Sequence, residues 1–115
     1  MYLLNTKATI YSSSSLPQKS TIDSNKSINS GGGIFQNGGF LSIENSTQIT
    51  KNASIDASGG GIYIINGSKA KISSSSITGN SAKIRGGGVY YDATSSFTQK
   101  KSTIADNTPD EIYSG

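Results

Sequence analysis

Acid–base chemistry in this 115-residue sequence would fall to seven carboxylates, Asp23, Glu44, Asp56, Asp92, Asp106, Asp110 and Glu111, because histidine and cysteine are both absent. Glycoside hydrolysis requires two carboxylates flanking the scissile bond. Lyase-type proton abstraction requires a base, often beside Ca²⁺ held by several acidic ligands. The spacing meets neither demand. Asp23 and Asp106 fall in the similar segments STIDSN and STIADN, but the two intervening copies, TQITKN and SSITGN, carry no carboxylate, with Thr50 and Thr78 after their isoleucines. Asp106, Asp110 and Glu111 gather around Pro109, where acidic residues are expected to form a mobile, solvated turn. The sequence therefore predicts no catalytic residue, no metal site, no cofactor and no enzyme.

Ring stacking is the other chemistry on offer. Phe35, Tyr63 and Tyr90 each stand second after a triple glycine, in GGGIF, GGGIY and GGGVY. If the aliphatic before each ring points inward, strand alternation sends the ring outward. Such a strip could stack on sugar rings or a partner protein, or the rings could brace the sheet by stacking on one another.

What must position these residues is a repeat. The segments STIDSN, TQITKN, SSITGN and STIADN place asparagines at Asn25, Asn52, Asn80 and Asn107, in steps of 27, 28 and 27. Ile22, Ile49, Ile77 and Ile104 keep the same steps, and the glycine triplets open at Gly31, Gly59 and Gly86. Two markers in one phase define a solenoid period.

Composition agrees. Only 32% of the residues are hydrophobic, too few for the thick core of a compact globule. Only 15% are charged, with a net +3, whereas disordered chains are usually more charged and poorer in isoleucine and tyrosine. A thin core spread along an axis satisfies both facts. The pI of about 9.2 does not imply nucleic acid, since the cations are scattered as singles and pairs such as Lys100-Lys101, with acids between. Lysines on exposed strands also guard edges against unwanted pairing. No apolar stretch of signal-peptide length follows Met1. The longest apolar run, Ile62 to Ile65, is far short of the ~20 residues of a membrane helix. Direct membrane insertion is not expected, and any targeting segment would lie outside this chain.

The residues between markers favour strands. They are rich in Ser, Thr, Gly and Asn with β-branched residues and lack a 3.6-residue apolar stripe. Short alternations such as Leu41-Ser42-Ile43, Ile62-Tyr63-Ile64 and Ala70-Lys71-Ile72 read as strands with one inward face. Three strands and three turns per unit describe one coil of a parallel β-helix, whose coils stack at ~4.8 Å. Equivalent residues then form columns: Ile34, Ile62 and Val89; Ile22, Ile49, Ile77 and Ile104; and Leu16, Ile43 and Ile72 with Phe97 as a looser match. Asparagine tolerates the left-handed conformation that a corner needs, and stacked amides can bond as a ladder. The glycines mark a second corner where positive φ or close packing excludes a side chain.

Rival readings fit less well. A leucine-rich repeat needs leucines ahead of its asparagine, and a calcium-binding nonapeptide roll needs aspartate in each glycine turn. The triplets match neither the P-loop nor the dinucleotide fingerprint. The single RGGG at Arg85 is explained by the same corner as the two triplets lacking arginine, and the threonines are too irregular for an ice-binding array. Four sequons occur, at Asn25, Asn45, Asn52 and Asn66. Asn25 and Asn52 belong to the ladder, so Asn45 and Asn66 are the glycosylation candidates.

GGGI/V alternating with IxxN resembles the GGAI and FxxN repeats of polymorphic outer-membrane proteins, the chlamydial-type autotransporter adhesins. The runs GGGIFQNGGFLSIENSTQITKNAS and GGGIYIINGSKAKISSSSITGNSA also resemble repeats in adhesin-like surface proteins of other microbes. The resemblance covers about residues 16–113, with GGG in place of GGA and Ile in place of Phe. It implies a right-handed β-helix outside the cell, as an adhesive or structural stalk.

Together these readings predict an all-β, right-handed parallel β-helix of about four coils of ~27 residues. It is a single domain or a fragment of a longer helix, with a partial first coil at 1–30 and coils at 31–58, 59–85 and 86–115. The expected role is structural or adhesive, at the cell surface or outside the cell, within a larger assembly or filament. Expected partners are glycans or other surface and assembly proteins, with end-to-end self-association through open coil edges. The alternative is a carbohydrate-binding or polysaccharide-processing module of pectate-lyase-like type.

Overall fold

The computed structural model describes residues 1–12 and 19–115, which contain fourteen strands and no helix. Every strand pair is parallel, and each strand meets its equivalent roughly one repeat away, so the fold is a parallel β-solenoid. The strands make about three turns rather than four. Each ladder step closes one turn, so four stacked asparagines span three.

The largest sheet contains Tyr2–Tyr11, Ile34–Glu44, Ile62–Ile65, Lys69–Ser73, Val89–Tyr91, Ser96–Lys100 and Ile112–Ser114. Left-handed residues divide it into two halves: Asn5 in the first strand, Gly38 and Gly39 in the second, and Asn66 and Gly67 in the third turn. A second sheet stacks Thr21–Asp23, Gln48–Thr50, Ser76–Thr78 and Thr103–Ala105. A third stacks Lys26–Ser27, Ala53–Ser54 and Ser81–Ala82.

Register turns the repeat into columns. Ile34, Ile62, Val89 and Ile112 lie over one another, as do Ile22, Ile49, Ile77 and Ile104. The third column is Ile10, Ile43, Ile72 and Gln99. Leu16, expected there, lies outside the described residues. Phe97 does not join it and stands instead over Ala70 and Leu41, because it is two residues short of a full 27-residue step from Ile72. Burial of each aliphatic contributes about 1.5–3 kcal/mol, and Ile34, Ile49, Ile62, Ile64 and Ile77 are fully enclosed. Some buried positions are polar, Gln36 among them. Gln36 is fully buried between Leu3 and Ile64, its Nε2 donating to the Gly39 and Lys69 carbonyls. Its Oε1 has no partner among the described residues.

The asparagine corner is built differently from the expectation. The left-handed residue is the one before each asparagine: Ser24, Lys51, Gly79 and Asp106, with φ of 58°, 55°, 67° and 57°. That turn aims the following amide along the axis. Asn25 donates from Nδ2 to Asn52 Oδ1 at 3.0 Å, Asn52 to Asn80 at 3.0 Å, and Asn80 to Asn107 at 2.9 Å. The backbone N–H of each donates to the same oxygen.

In the glycine corner, each member of a triplet has its own reason. Gly59 adopts φ of 70°, which a side chain rarely accepts. A Cβ at Gly60 would fall 2.5 Å from the Gly87 carbonyl oxygen, and one at Gly61 would fall 2.5 Å from that of Gly88. The last two glycines therefore let adjacent coils approach and bond backbone to backbone, as in Gly60 N–H to Gly86 O at 3.1 Å and Gly61 N–H to Gly87 O at 2.9 Å.

Candidate functional site

Strand alternation places Phe35, Tyr63 and Tyr90 on the outer face, each half-buried after an enclosed aliphatic. Their rings stack, with centroids 5.1 Å apart between Phe35 and Tyr63 and 4.9 Å between Tyr63 and Tyr90. Tyr2 extends the column at one end at 5.0 Å, and Tyr113 at the other at 5.8 Å. Neither end residue follows a glycine triplet, but each sits in strand register with the ring beside it. The Arg85 guanidinium carbon lies 4.5 Å from the Tyr113 ring centroid, and its Nη1 donates to the Tyr113 hydroxyl. Burial in this column raises the Tyr90 phenol above its ordinary value, helped by the neighbouring Tyr63. The three inner rings spend their faces on each other. What they present to a partner is edges and hydroxyls.

The carboxylates are dispersed, and several of them reach across to the neighbouring coil. Asp23 accepts from Thr50 Oγ1 at 2.7 Å, a bond that holds its carboxyl below the ordinary value. Asp56 pairs with Lys83 at 3.4 Å just after the third-sheet strands, where both side chains are exposed. Burial works to raise Asp92, but bonds from the Asn66 N–H and from the Thr94 and Ser95 hydroxyls outweigh it and leave the carboxyl lowered. Among the described residues no group of three acidic side chains converges on a metal-sized site.

Asp110 and Glu111 are not the freely solvated turn expected of them. Glu111 Oε1 accepts from Asn107 N–H at 3.1 Å and Asn107 Nδ2 at 2.8 Å, the two donors that a further asparagine would receive. Asp110 Oδ2 accepts from the Gly86 N–H at 3.1 Å, where the equivalent Gly59 N–H bonds to the Arg85 carbonyl of the next coil. The carboxylates thus supply acceptors that another coil would have provided. Their order after TP carries no motif that would announce this; only register reveals it.

A hydroxyl ladder runs beside the asparagine ladder. Thr47 N–H donates to Ser75 Oγ at 3.2 Å, and Ser75 N–H to Ser102 Oγ at 3.3 Å. The steps of 28 and 27 match those of the asparagines, but so many serines surround them that the period is hidden. Of the glycosylation candidates, Asn45 and Asn66 are both exposed and left-handed, with φ of 54° and 62°. Asn66 Nδ2 donates to Asn37 Oδ1 at 2.7 Å.

No family model matches this chain, and no curated protein or solved structure shows significant similarity to it.

Proposed function

We propose that the chain is a non-catalytic structural or adhesive segment of an extracellular or cell-surface β-helix, a spacer whose outer faces are displayed while its inner chemistry holds coil to coil. The observation that carries this reading is continuity. The aliphatic, asparagine, glycine and aromatic columns all run in one register along the solenoid, so its distinctive residues are committed to stacking. The likeness of GGGI/V and IxxN to the repeats of polymorphic outer-membrane proteins supports a place outside the cell. Among the described residues, Tyr2–Tyr11 and Ser96–Lys100 each pair on one side only, which suits end-to-end association with further coils or a second molecule.

The test is location. Antibodies raised against the purified chain, applied to intact cells that express the parent protein, should label their surface, and external protease should remove the label. Labelling that appears only after permeabilisation would overturn the proposal.

A further inference from the structure

The second half of the large sheet carries an outward face unlike the others. Lys7, Phe40, Lys69 and Ser96 lie side by side on four successive strands, and the next outward row is Thr9, Ser42, Lys71 and Thr98. Lys100 stands beside Ser73 in the row after that. Four lysines thus share this face with a single carboxylate, Glu44, which is tied to Ser42 at 3.1 Å. The outward positions of the aromatic half, and those of the Thr21–Asp23 stack, carry no lysine or arginine.

The cations therefore look scattered in sequence but are concentrated in space. Lys7, Lys69, Lys71 and Lys100 are all exposed. The Lys69 ammonium lies 5.8 Å from the centroid of Phe40, an exposed ring. A depression of about 370 Å³ lies over Lys7, Phe40, Ser42 and Lys71, with Glu44 also in its lining. A second, of about 470 Å³, lies over Lys71, Thr98 and Lys100, so that Lys71 joins the two.

We infer that this face binds an acidic polysaccharide, a chain of pyranose rings bearing carboxylate or sulfate groups. Lys7 and Lys69 stand two strands, about 9–10 Å, apart in one row, and Lys71 and Lys100 follow in the next two rows, so the ammonium groups run across the face and complement a linear polyanion. Thr9, Ser42 and Thr98, set between the lysines, offer hydroxyls to sugar hydroxyls, and Phe40 offers an apolar ring face. Single-stranded nucleic acid is a poorer fit, because it is held by successive bases on a run of aromatic platforms, and the two rings here, Phe40 and Tyr11, form no stack. The inference names a ligand for the adhesive reading and rests on that reading only for its biological use. A chain that binds acidic glycans but stays inside cells would overturn the placement alone. A surface chain that ignores them would overturn the ligand alone.

The test uses the purified chain and fluorescence anisotropy with labelled polygalacturonate and heparin. Both should bind, neutral dextran should not, and affinity should fall steeply as salt rises from about 50 to 200 mM. Lys69→Gln/Lys71→Gln should weaken binding about tenfold or more, while Lys26→Gln/Lys51→Gln, equal in charge but off the face, should change it less than about twofold. Circular dichroism checks that both variants keep the fold. Absence of binding to either polysaccharide, equal losses in the two variants, or tighter binding of an oligothymidylate would each refute the inference.

Discussion

Replacing Asn80 by alanine should cost about 4 kcal/mol, most of the margin of a small domain. Asn80 Oδ1 accepts from the Asn52 N–H at 2.9 Å and from Asn52 Nδ2 at 3.0 Å. Its own Nδ2 donates to the Ile49 carbonyl at 3.0 Å and to Asn107 Oδ1 at 2.9 Å. Alanine leaves the Asn52 N–H without this acceptor, in a residue that is 0% exposed, at about 1–3 kcal/mol. The other three lost bonds contribute about 0.5–1 kcal/mol each, since Asn52 Nδ2 still reaches the Ile22 carbonyl and Asn107 Oδ1 keeps the Asn80 N–H. Asn25 is the internal comparison. It is exposed, and alanine there removes one side-chain bond while its N–H still reaches Asn52, so the cost should be near 0.5 kcal/mol. Urea unfolding followed by circular dichroism reads both variants, and 4 kcal/mol should move the midpoint by about 2 M at unchanged slope. Asn80→Asp separates the donor from the acceptor. It keeps the oxygen facing Asn52 but sets a buried charge against the Ile49 carbonyl, so it should be as damaging at neutral pH and partly recover when acid protonates the introduced carboxyl. If Asn80→Ala and Asn25→Ala shift the midpoint equally, the ladder is not what holds the corners.

The glycine corner predicts a contrast between two alanine substitutions. Gly60→Ala forces a methyl to 2.5 Å from the Gly87 carbonyl and should cost about 3 kcal/mol or more, whereas Gly67→Ala, with φ of 72° and nothing within 4 Å, should cost only the ~1–2 kcal/mol of left-handed strain. Comparable urea midpoints for the two would refute close coil approach as the reason for the triplet. Asp92 predicts an acid limb: its carboxyl is lowered in the fold, so the stability it lends is present above the ordinary 3.8 and is lost as pH falls through the lower folded value. Asp92→Asn should flatten that part of the stability profile, and a profile that stays as steep would assign the acid limb to other groups.

Period was legible in the sequence; local geometry was not. Asn25, Asn52, Asn80 and Asn107 announced both the coil and the ladder because each stands three residues after an isoleucine and the pair recurs in steps of 27, 28 and 27. Phe97 misled because it is the only large apolar residue near the expected position, whereas register is set by residue count and delivers Gln99. The left-handed site before each asparagine was hidden by its chemistry. Ser24, Lys51, Gly79 and Asp106 share no property except position. The lysine face was hidden for a related reason: Lys7, Lys69, Lys71 and Lys100 lie on three separate coils, and only folding sets them side by side.

Asparagine propagates a ladder because its amide both accepts and donates, so each rung leaves a donor facing the next coil. An ionised glutamate accepts only. By taking both the N–H and the Nδ2 of Asn107 on one oxygen, Glu111 satisfies the fourth rung and offers no donor onward. Asp110 does the same for the backbone at Gly86. A parallel solenoid otherwise exposes at its edge the groups that recruit another strand. Two adjacent carboxylates occupy part of that edge at the glycine and asparagine corners, where successive coils are most tightly tied, so a further coil docking there would have to displace Asp110 and Glu111 from these donors.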